Sequence, residues 1–222
     1  TMDGQLVGIG IICRRGDRGY VLDFGIVPKF RGRGLGHRLF RALVAQMRSS
    51  GLREVTLLVS ADNEPAIRIY SRAGFQQVRE LVTLSGRVAA YAPGSAHELN
   101  NDIAATIVAW FGGGKATRPS WERDLSSLLV MSDVRAFGNS RGFLLTRPAP
   151  YFPRQVDIAH IGLDPDAMAE DVNALLYAVS ERYGSDKQLA LPEEPVNSRA
   201  YRMLHSLGFR TVDRAYEMCL VL

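Results

Sequence analysis

Cysteine is nearly absent from this chain: 222 residues carry only Cys13 and Cys219. Two thiols so far apart, neither in a C-x-x-C spacing, exclude a disulfide framework and a thiolate metal cluster. Histidine is equally sparse, and its four copies are dispersed, so no metal site is expected. There is no long apolar run and no leader-like stretch. Together with the low cysteine content, this reads as a soluble cytoplasmic protein with no membrane partner. A run of Lys and Arg with interleaved aromatics is also missing. The net charge of +4 is mild, so nucleic acid is not an expected partner.

What is present is a core-forming composition, 46% apolar, in a chain long enough for one large or two small domains. One stretch stands out: Val27-Pro28-Lys29-Phe30-Arg31-Gly32-Arg33-Gly34-Leu35-Gly36. Before it, Tyr20 to Val27 reads as a strand. After it, His37 to Ser49 places Leu39, Leu43 and Met47 on one helical face with Phe40 and Val44 beside them. Strand, glycine turn, helix leaves unpaired N–H groups at a helix start, where an anion can sit. Glycine accepts φ > 0 and brings no Cβ into the anion's path. Arg31 and Arg33 add positive charge there, with Arg38 and Arg41 close behind. The pattern predicts a phosphate or pyrophosphate cradle.

Two common nucleotide loops do not fit. A Walker loop ends in Gly-Lys-Ser/Thr, and the nearest lookalike, Gly112-Gly113-Gly114-Lys115-Ala116, lacks the hydroxyl and the leading glycine. A dinucleotide turn needs G-x-G-x-x-G, whereas Gly32 to Gly36 gives G-x-G-x-G. The stretch Arg31-Gly32-Arg33-Gly34-Leu35-Gly36 does match R/Q-x-x-G-x-G/A. Downstream, Val55 to Val59 reads as a strand, followed by Asn63-Glu64-Pro65-Ala66-Ile67-Arg68-Ile69-Tyr70-Ser71-Arg72-Ala73-Gly74-Phe75. Both segments, in this order and at this distance, resemble the GCN5-related N-acetyltransferase (GNAT) family.

The resemblance implies an α/β fold, an α+β mixed sheet, that moves an acetyl group from acetyl-CoA to a primary amine on a small molecule or peptide. By the same resemblance, Arg31, Gly32, Arg33, Gly34, Leu35 and Gly36 hold the coenzyme pyrophosphate. The backbone of Ile26 and Val27 binds the acetyl carbonyl and pantetheine. Asn63 is a helix N-cap, with Pro65 near the first turn, and in the family the same side chain often contacts pantetheine. Tyr70, seven residues on, returns to the same helical face and is expected to protonate the departing thiolate, unless it is an ordinary packing tyrosine. His37 is a phosphate contact or a solvated helix position. Alternation on Tyr20–Val27 sets Leu22, Phe24 and Ile26 on one face, with Val21, Asp23, Gly25 and Val27 on the other. Asp23, the strand's only acid, is a candidate general base or the partner of an arginine.

The chain also repeats itself. Asn197 to Val212 overlays Asn63 to Val78 without a gap, matching at Asn, Ala, Arg, Gly, Phe and Val. Upstream, Val156–Ile161 and Gln188–Leu191 read as strands and Asp171–Tyr183 as a helix, with helical segments near Asn101–Phe111 and Trp121–Met131. In place of the glycine loop stands Leu163-Asp164-Pro165-Asp166-Ala167-Met168-Ala169-Glu170, and Leu204 stands where Tyr70 would be. Carboxylates at a helix N-terminus satisfy its dipole and repel pyrophosphate. The expectation is therefore two GNAT-like modules in tandem, 1–90 with the coenzyme motif and 91–222 degenerate. Family members begin with a strand, two helices and a further strand that the first module lacks. Gln5–Cys13 then needs a cover at the sheet edge, from a longer chain, the helices of 98–131, or a second subunit in a homodimer. The competing functional reading is a non-catalytic acyl-CoA-binding or regulatory module.

Overall fold

A computed structural model describes residues 1, 4–87, 95–99, 105, 108 and 119–222. Contacts group them into two units, Thr1–Glu80 with Arg214–Leu222, and Leu81–Asp213.

In the first unit, β1 (Gly8–Arg15) and β2 (Arg18–Ile26) form an antiparallel hairpin that turns at Gly16, φ 61°. Helix α1 (Leu35–Ser49) crosses over to β3 (Glu54–Ser60), which runs parallel to β2. Helix α2 (Glu64–Arg72) leads to β4 (Gln76–Gly86). The C-terminal strand, Arg210–Val221 and β10 in chain order, pairs antiparallel with β3 from Ala215↔Ser60 to Val221↔Glu54. The unit's strand order is thus β1-β2-β3-β10. Phe40, Leu43, Val44 and Met47 form the buried stripe of α1, at the spacing of one helical face. They pack on Val21, Val55, Leu57 and Val59 from the sheet, Tyr70 and Phe75 after β3, and Met218 and Leu220 of β10.

The expected alternation along β2 is broken. Ile11 pairs with Asp23 but Ile12 with Val21, so Leu22 is an extra residue in a β-bulge. Val21 and Phe24 consequently both reach the α1 core, while Leu22 is 51% exposed. A bulge resets the two-residue period, which pattern counting assumes is unbroken.

The second unit takes the end of β4 and the start of β10. Its remaining elements are β5 (His97–Glu98), β6 (Arg135–Asn139), β7 (Gly142–Pro148), β8 (Gln155–Leu163), α3 (Ala169–Tyr183), β9 (Gln188–Pro195) and α4 (Arg199–Ser206). The strand order is β4-β9-β8-β7-β6-β5. Among the described residues of this unit β8 and β9 run parallel, and the other neighbouring strands pair antiparallel. The core joins Leu144, Ile158, Val172, Leu175, Val179 and Leu204, among others. The helix expected over Trp121–Met131 is instead a 3-10 turn, Trp121–Arg123, and a single helical turn, Leu125–Leu128. Asp124 separates them: its extended backbone starts a new helix whose Ser127 N–H donates to the Asp124 carboxylate at 3.0 Å. The helix expected near Asn101–Phe111 lies, apart from helical Ala105 and Val108, outside the described residues, as does Gly112–Gly114.

The two units do not follow the expected division at residue 90. The first ends at Glu80 and regains the last nine residues of the chain, because Met218 and Leu220 complete its core. Met218 is 2% exposed. Met218→Ala is therefore expected to cost about 2–5 kcal/mol of stability, despite lying only four residues before Leu222. Guanidinium unfolding followed by circular dichroism checks this, and a midpoint equal to the wild type's contradicts the placement of β10.

Candidate active site

The glycine loop follows a 3-10 turn, Pro28–Phe30, at the end of β2. Gly32 and Gly34 are both left-handed, φ 74° and 72°, and a Cβ at either would meet nothing within 4 Å. Backbone conformation, not crowding, selects glycine at these positions, and the space beside them is open. Gly34 is the N-cap of α1, with no side chain capping the helix. The first-turn N–H groups have no intrahelical acceptors and suit an anion. Gly36 serves packing instead: a Cβ there would lie 3.0 Å from Cδ1 of Ile69 on α2. Arg31 donates from Nε to the Ile26 carbonyl at 2.9 Å, tying the loop to the end of β2.

Beside the loop lies a cleft of about 540 Å³ between the end of β2 and the start of α2. Of the residues picked out by sequence, Ile26, Arg31, Gly32, Gly34, Leu35, Gly36, His37 and Asn63 line it. Val27 and Arg33 do not. The Val27 N–H donates to the Val7 carbonyl at 3.0 Å, and its own carbonyl accepts from Phe30 N–H at 2.9 Å. The guanidinium of Arg33 lies 5.8 Å from the Phe30 ring centre. Asn63 caps α2, its Oδ1 accepting from Ala66 N–H at 3.2 Å, which leaves its NH₂ donors for another partner. Arg68 and Arg72 also line the cleft and were not anticipated. Their i,i+4 spacing on α2 was the available signal, since it places both on one helical face.

The cleft opens where β2 and β3 part. Their parallel pairing covers only Arg18–Val21 with Glu54–Leu57. Beyond it, Leu58 to Ser60 stay paired with Glu217 to Ala215, while Phe24 to Ile26 line the cleft. Tyr70 sits at the inner side of this region, 7% exposed, with ring centres of Phe40 and Phe24 at 4.8 and 6.1 Å. Burial, and then the charge of Asp23, raise the Tyr70 phenol above its ordinary value. Asp23 is exposed and pairs with Ile11, on the face of β2 opposite Phe24. Phenol and carboxylate thus approach the strand end from opposite faces, and neither lines the cleft itself. Among the described residues, no group of three or more His, Cys, Asp or Glu is placed to hold a metal ion, and no helix is long and apolar enough to cross a membrane.

In the second unit, β8 and β9 likewise pair for only three residues, Gln155–Asp157 with Gln188–Ala190. Here the protein's own side chains occupy the region beyond. Arg123, 7% exposed, donates to the Pro192 and Glu193 carbonyls at 3.2 and 3.1 Å and to Glu194 Oε2 at 2.6 Å. Ser198 Oγ, the N-cap of α4, donates to the other Glu194 oxygen at 2.5 Å. At the start of α3, the Met168 N–H donates to Asp171 Oδ2 at 2.8 Å, and Arg199 donates to the Pro165 and Ala167 carbonyls. The start of α3 is thus capped by a carboxylate, whereas the start of α1 has no side-chain cap. Leu204 is fully buried.

Residues 1–75 match the model of the acetyltransferase (GNAT) family. The fold is similar to those of solved GCN5-related N-acetyltransferases. The crystal structure of one from Sphaerobacter thermophilus superposes with a TM-score of 0.69 at 17% identity, covering 99% of this chain and 78% of that one. A tandem GNAT protein from the clavulanic acid biosynthesis pathway gives 0.69 at 14% identity, covering 100% and 81%. In sequence, N-alpha-acetyltransferase MAK3 of Arabidopsis thaliana is 35% identical over 83 residues, 35% of this chain and 43% of that protein. Mycothiol acetyltransferase of Actinosynnema mirum is 44% identical over 59 residues, 27% of this chain and 20% of the relative. The matches therefore span less than half the length of these two relatives.

His160, on β8, lies close enough to Arg123 to feel its charge. Burial first, and Arg123 second, lower its imidazole from 6.5 to about 3. The unfolded chain takes up this proton below about pH 6.5, whereas the folded one resists until about 3. His160 thus contributes full stability above pH 6.5 and loses it on acidification, on the order of 1.4 kcal/mol per pH unit across the window. Urea midpoints measured from pH 7 to 4 should fall less steeply in His160→Phe than in the wild type. Equal slopes would contradict a buried neutral imidazole.

Proposed function

We propose that this protein transfers the acetyl group of acetyl-CoA to a primary amine, and that the first unit holds the reaction centre. The observation that carries this reading is the open glycine loop at the start of α1, joined to a cleft where β2 and β3 part. Phosphates fit the loop because unpaired N–H groups, left-handed glycines and Arg31 converge there. The pantetheine arm runs along the end of β2 toward Asn63, whose NH₂ is available to it. Ile26 contributes from this strand. Val27 is set aside because both its backbone groups are engaged within the protein. The match of residues 1–75 to an acetyltransferase family supports the same reaction.

The thioester supplies an activated acyl carbon: the amine forms a C–N bond to it as the C–S bond breaks, and the amine loses one proton. Asp23 is the candidate acceptor for that proton, being exposed on the face of β2 opposite Tyr70. Tyr70 hydrogen-bonds and protonates the departing thiolate. Its raised phenol keeps it in the protonated form that this role requires throughout the neutral range. A thiol ionises near 8.5 and an unperturbed phenol near 10, so full proton transfer is uphill by about 2 kcal/mol or more. Much of the effect of Tyr70 is therefore a hydrogen bond to developing negative charge. The acceptor is an amine whose class stays broad: the matched relatives are named for N-alpha acetylation and for mycothiol.

The second unit reads as a further module of the same kind that has lost its site. Arg123 fills the region beyond the β8/β9 pairing, Asp171 occupies the helix start, and Leu204 replaces the tyrosine. A similar fold, matched over the length of this chain and 81% of a tandem GNAT protein, supports this arrangement. The cytoplasm, where acetyl-CoA is available, is the expected location.

Turnover of acetyl-CoA with a panel of amines tests the reaction. Tyr70→Phe is expected to lower kcat by about 10- to 1,000-fold, the range set by losing one transition-state donor, with acetyl-CoA binding retained. Binding without acetylation of any amine by the wild type would favour a non-catalytic acyl-CoA-binding module instead.

A further inference from the structure

Away from its plugged region, the second unit has a cavity of about 350 Å³ where β5 ends and β6 begins. Its size lies in the range of small-ligand sites. One wall is apolar: Ala136 belongs to the buried cluster of Leu128, Phe143, Leu145 and Ala159, and Leu99 and Val134 pack against that cluster. The Leu99 N–H donates to the Ala136 carbonyl at 2.8 Å, which fixes this wall. Three charged residues, Glu98, Asp133 and Arg135, line the cavity as well. Glu98 spends both carboxylate oxygens inside the protein, one on Arg135 Nη1 at 2.5 Å and the other on Arg182 Nε, in the last turn of α3, at 3.3 Å. One carboxylate between two guanidinium groups leaves one positive charge uncompensated. Asp133 has the opposite excess: it is exposed, and among the described residues no hydrogen bond or ion pair engages its carboxylate. Its backbone is left-handed, φ 58°, a conformation uncommon outside glycine and best tolerated by Asn and Asp. Two residues on, Arg135 is held above its ordinary value chiefly by Glu98 and least by Asp133. The two opposite charges thus face one cavity without meeting.

We propose that this cavity binds a free α-amino acid with an apolar side chain, its ammonium on Asp133, its carboxylate on Arg135 and its side chain against Leu99 and Val134. An α-amino acid carries both charges on one carbon, so a single small molecule closes the gap between Asp133 and Arg135. Charge-assisted hydrogen bonds at both ends fix its orientation, and the guanidinium fork suits a carboxylate. The apolar wall adds area removed from water. A lone ammonium would leave the positive excess of the Glu98 triad unmet, and a lone carboxylate would be opposed by Asp133. The site lies wholly in the second unit and does not depend on the acetyl-CoA reading above. A unit whose strand opening is filled by Arg123 thus keeps a separate place for a ligand, one that need not be the amine acetylated in the first unit.

Calorimetric titration of the full chain at low salt with L-leucine, L-leucinamide and N-acetyl-L-leucine tests the site. Leucinamide keeps the ammonium without the carboxylate, and N-acetylleucine keeps the carboxylate without the ammonium. Leucine should bind with a Kd of about 1 mM or tighter, and each analogue about tenfold or more weakly, having lost one charge-assisted hydrogen bond. Asp133→Asn, which tolerates the same left-handed backbone, should weaken leucine about tenfold and leave N-acetylleucine unchanged. Arg135→Gln should weaken leucine and leave leucinamide unchanged. Absence of leucine binding in the millimolar range overturns the site. So does equal affinity for leucine and either analogue, because only one of the two charges would then be recognised. An equal loss for leucine and N-acetylleucine in Asp133→Asn also overturns it, since Asp133 would then act through the fold and not on the ammonium.

Discussion

Two parallel strands that stop pairing early are the constraint on which this molecule turns. β2 and β3 share four residue pairs and then part, leaving backbone and side chains at the end of β2 without a neighbouring strand on that side. A parted parallel pair cannot be left empty at no cost, since its polar backbone needs partners and its apolar walls need cover. In the first unit the parted region borders an open cleft whose rim is a glycine loop, so an extended, phosphate-ended molecule can lie along it. In the second unit, β8 and β9 part in the same way, and Arg123 supplies the missing partners from inside the protein. The burial of Arg123 is tolerable because Glu194 and two carbonyls surround it, while removing only one partner of such a pair is strongly destabilising. One geometric device thus has two outcomes, a cleft and a plug.

Connectivity bears on how the site is held. The strand that backs β3 comes from the far end of the chain, so Met218 and Leu220 sit in the same core as Phe40, Tyr70 and Phe75. The position of Tyr70 is set by that aromatic cluster, with Phe40 and Phe75 ring centres at 4.8 and 6.3 Å. A change in the last residues of the sequence can therefore disturb Tyr70 without touching the cleft.

Much of this was legible in the residues. The glycine turn, the α1 stripe and the capped α2 each depend on local chemistry, left-handed glycine, helical period and a side-chain cap, and local chemistry is written in order along the chain. At the start of α3 the capping acid is Asp171, one residue beyond the acidic stretch read from the sequence. What could not be read depends on distance. The Leu22 bulge exists because of how β1 registers against β2, so the expected faces of β2 were misassigned. The partnership of β10 with β3 joins residues more than 150 apart. Arg123 gave no signal, since its partners at Pro192–Glu194 lie some 70 residues away. The contribution of Arg72 needed α2 to be set beside α1, which only packing shows. Val27 was drawn into the motif by adjacency, while its hydrogen bonds go elsewhere.

The two units differ as an open cleft differs from a plugged one. Equilibrium titration of acetyl-CoA into the intact chain tests it most directly. One site per chain is expected, lost when Gly34 is changed to valine, which cannot readily hold φ 72°, and retained when Asp166 is changed to asparagine. Two equivalent sites, or a single site lost with Asp166→Asn and retained with Gly34→Val, would contradict it.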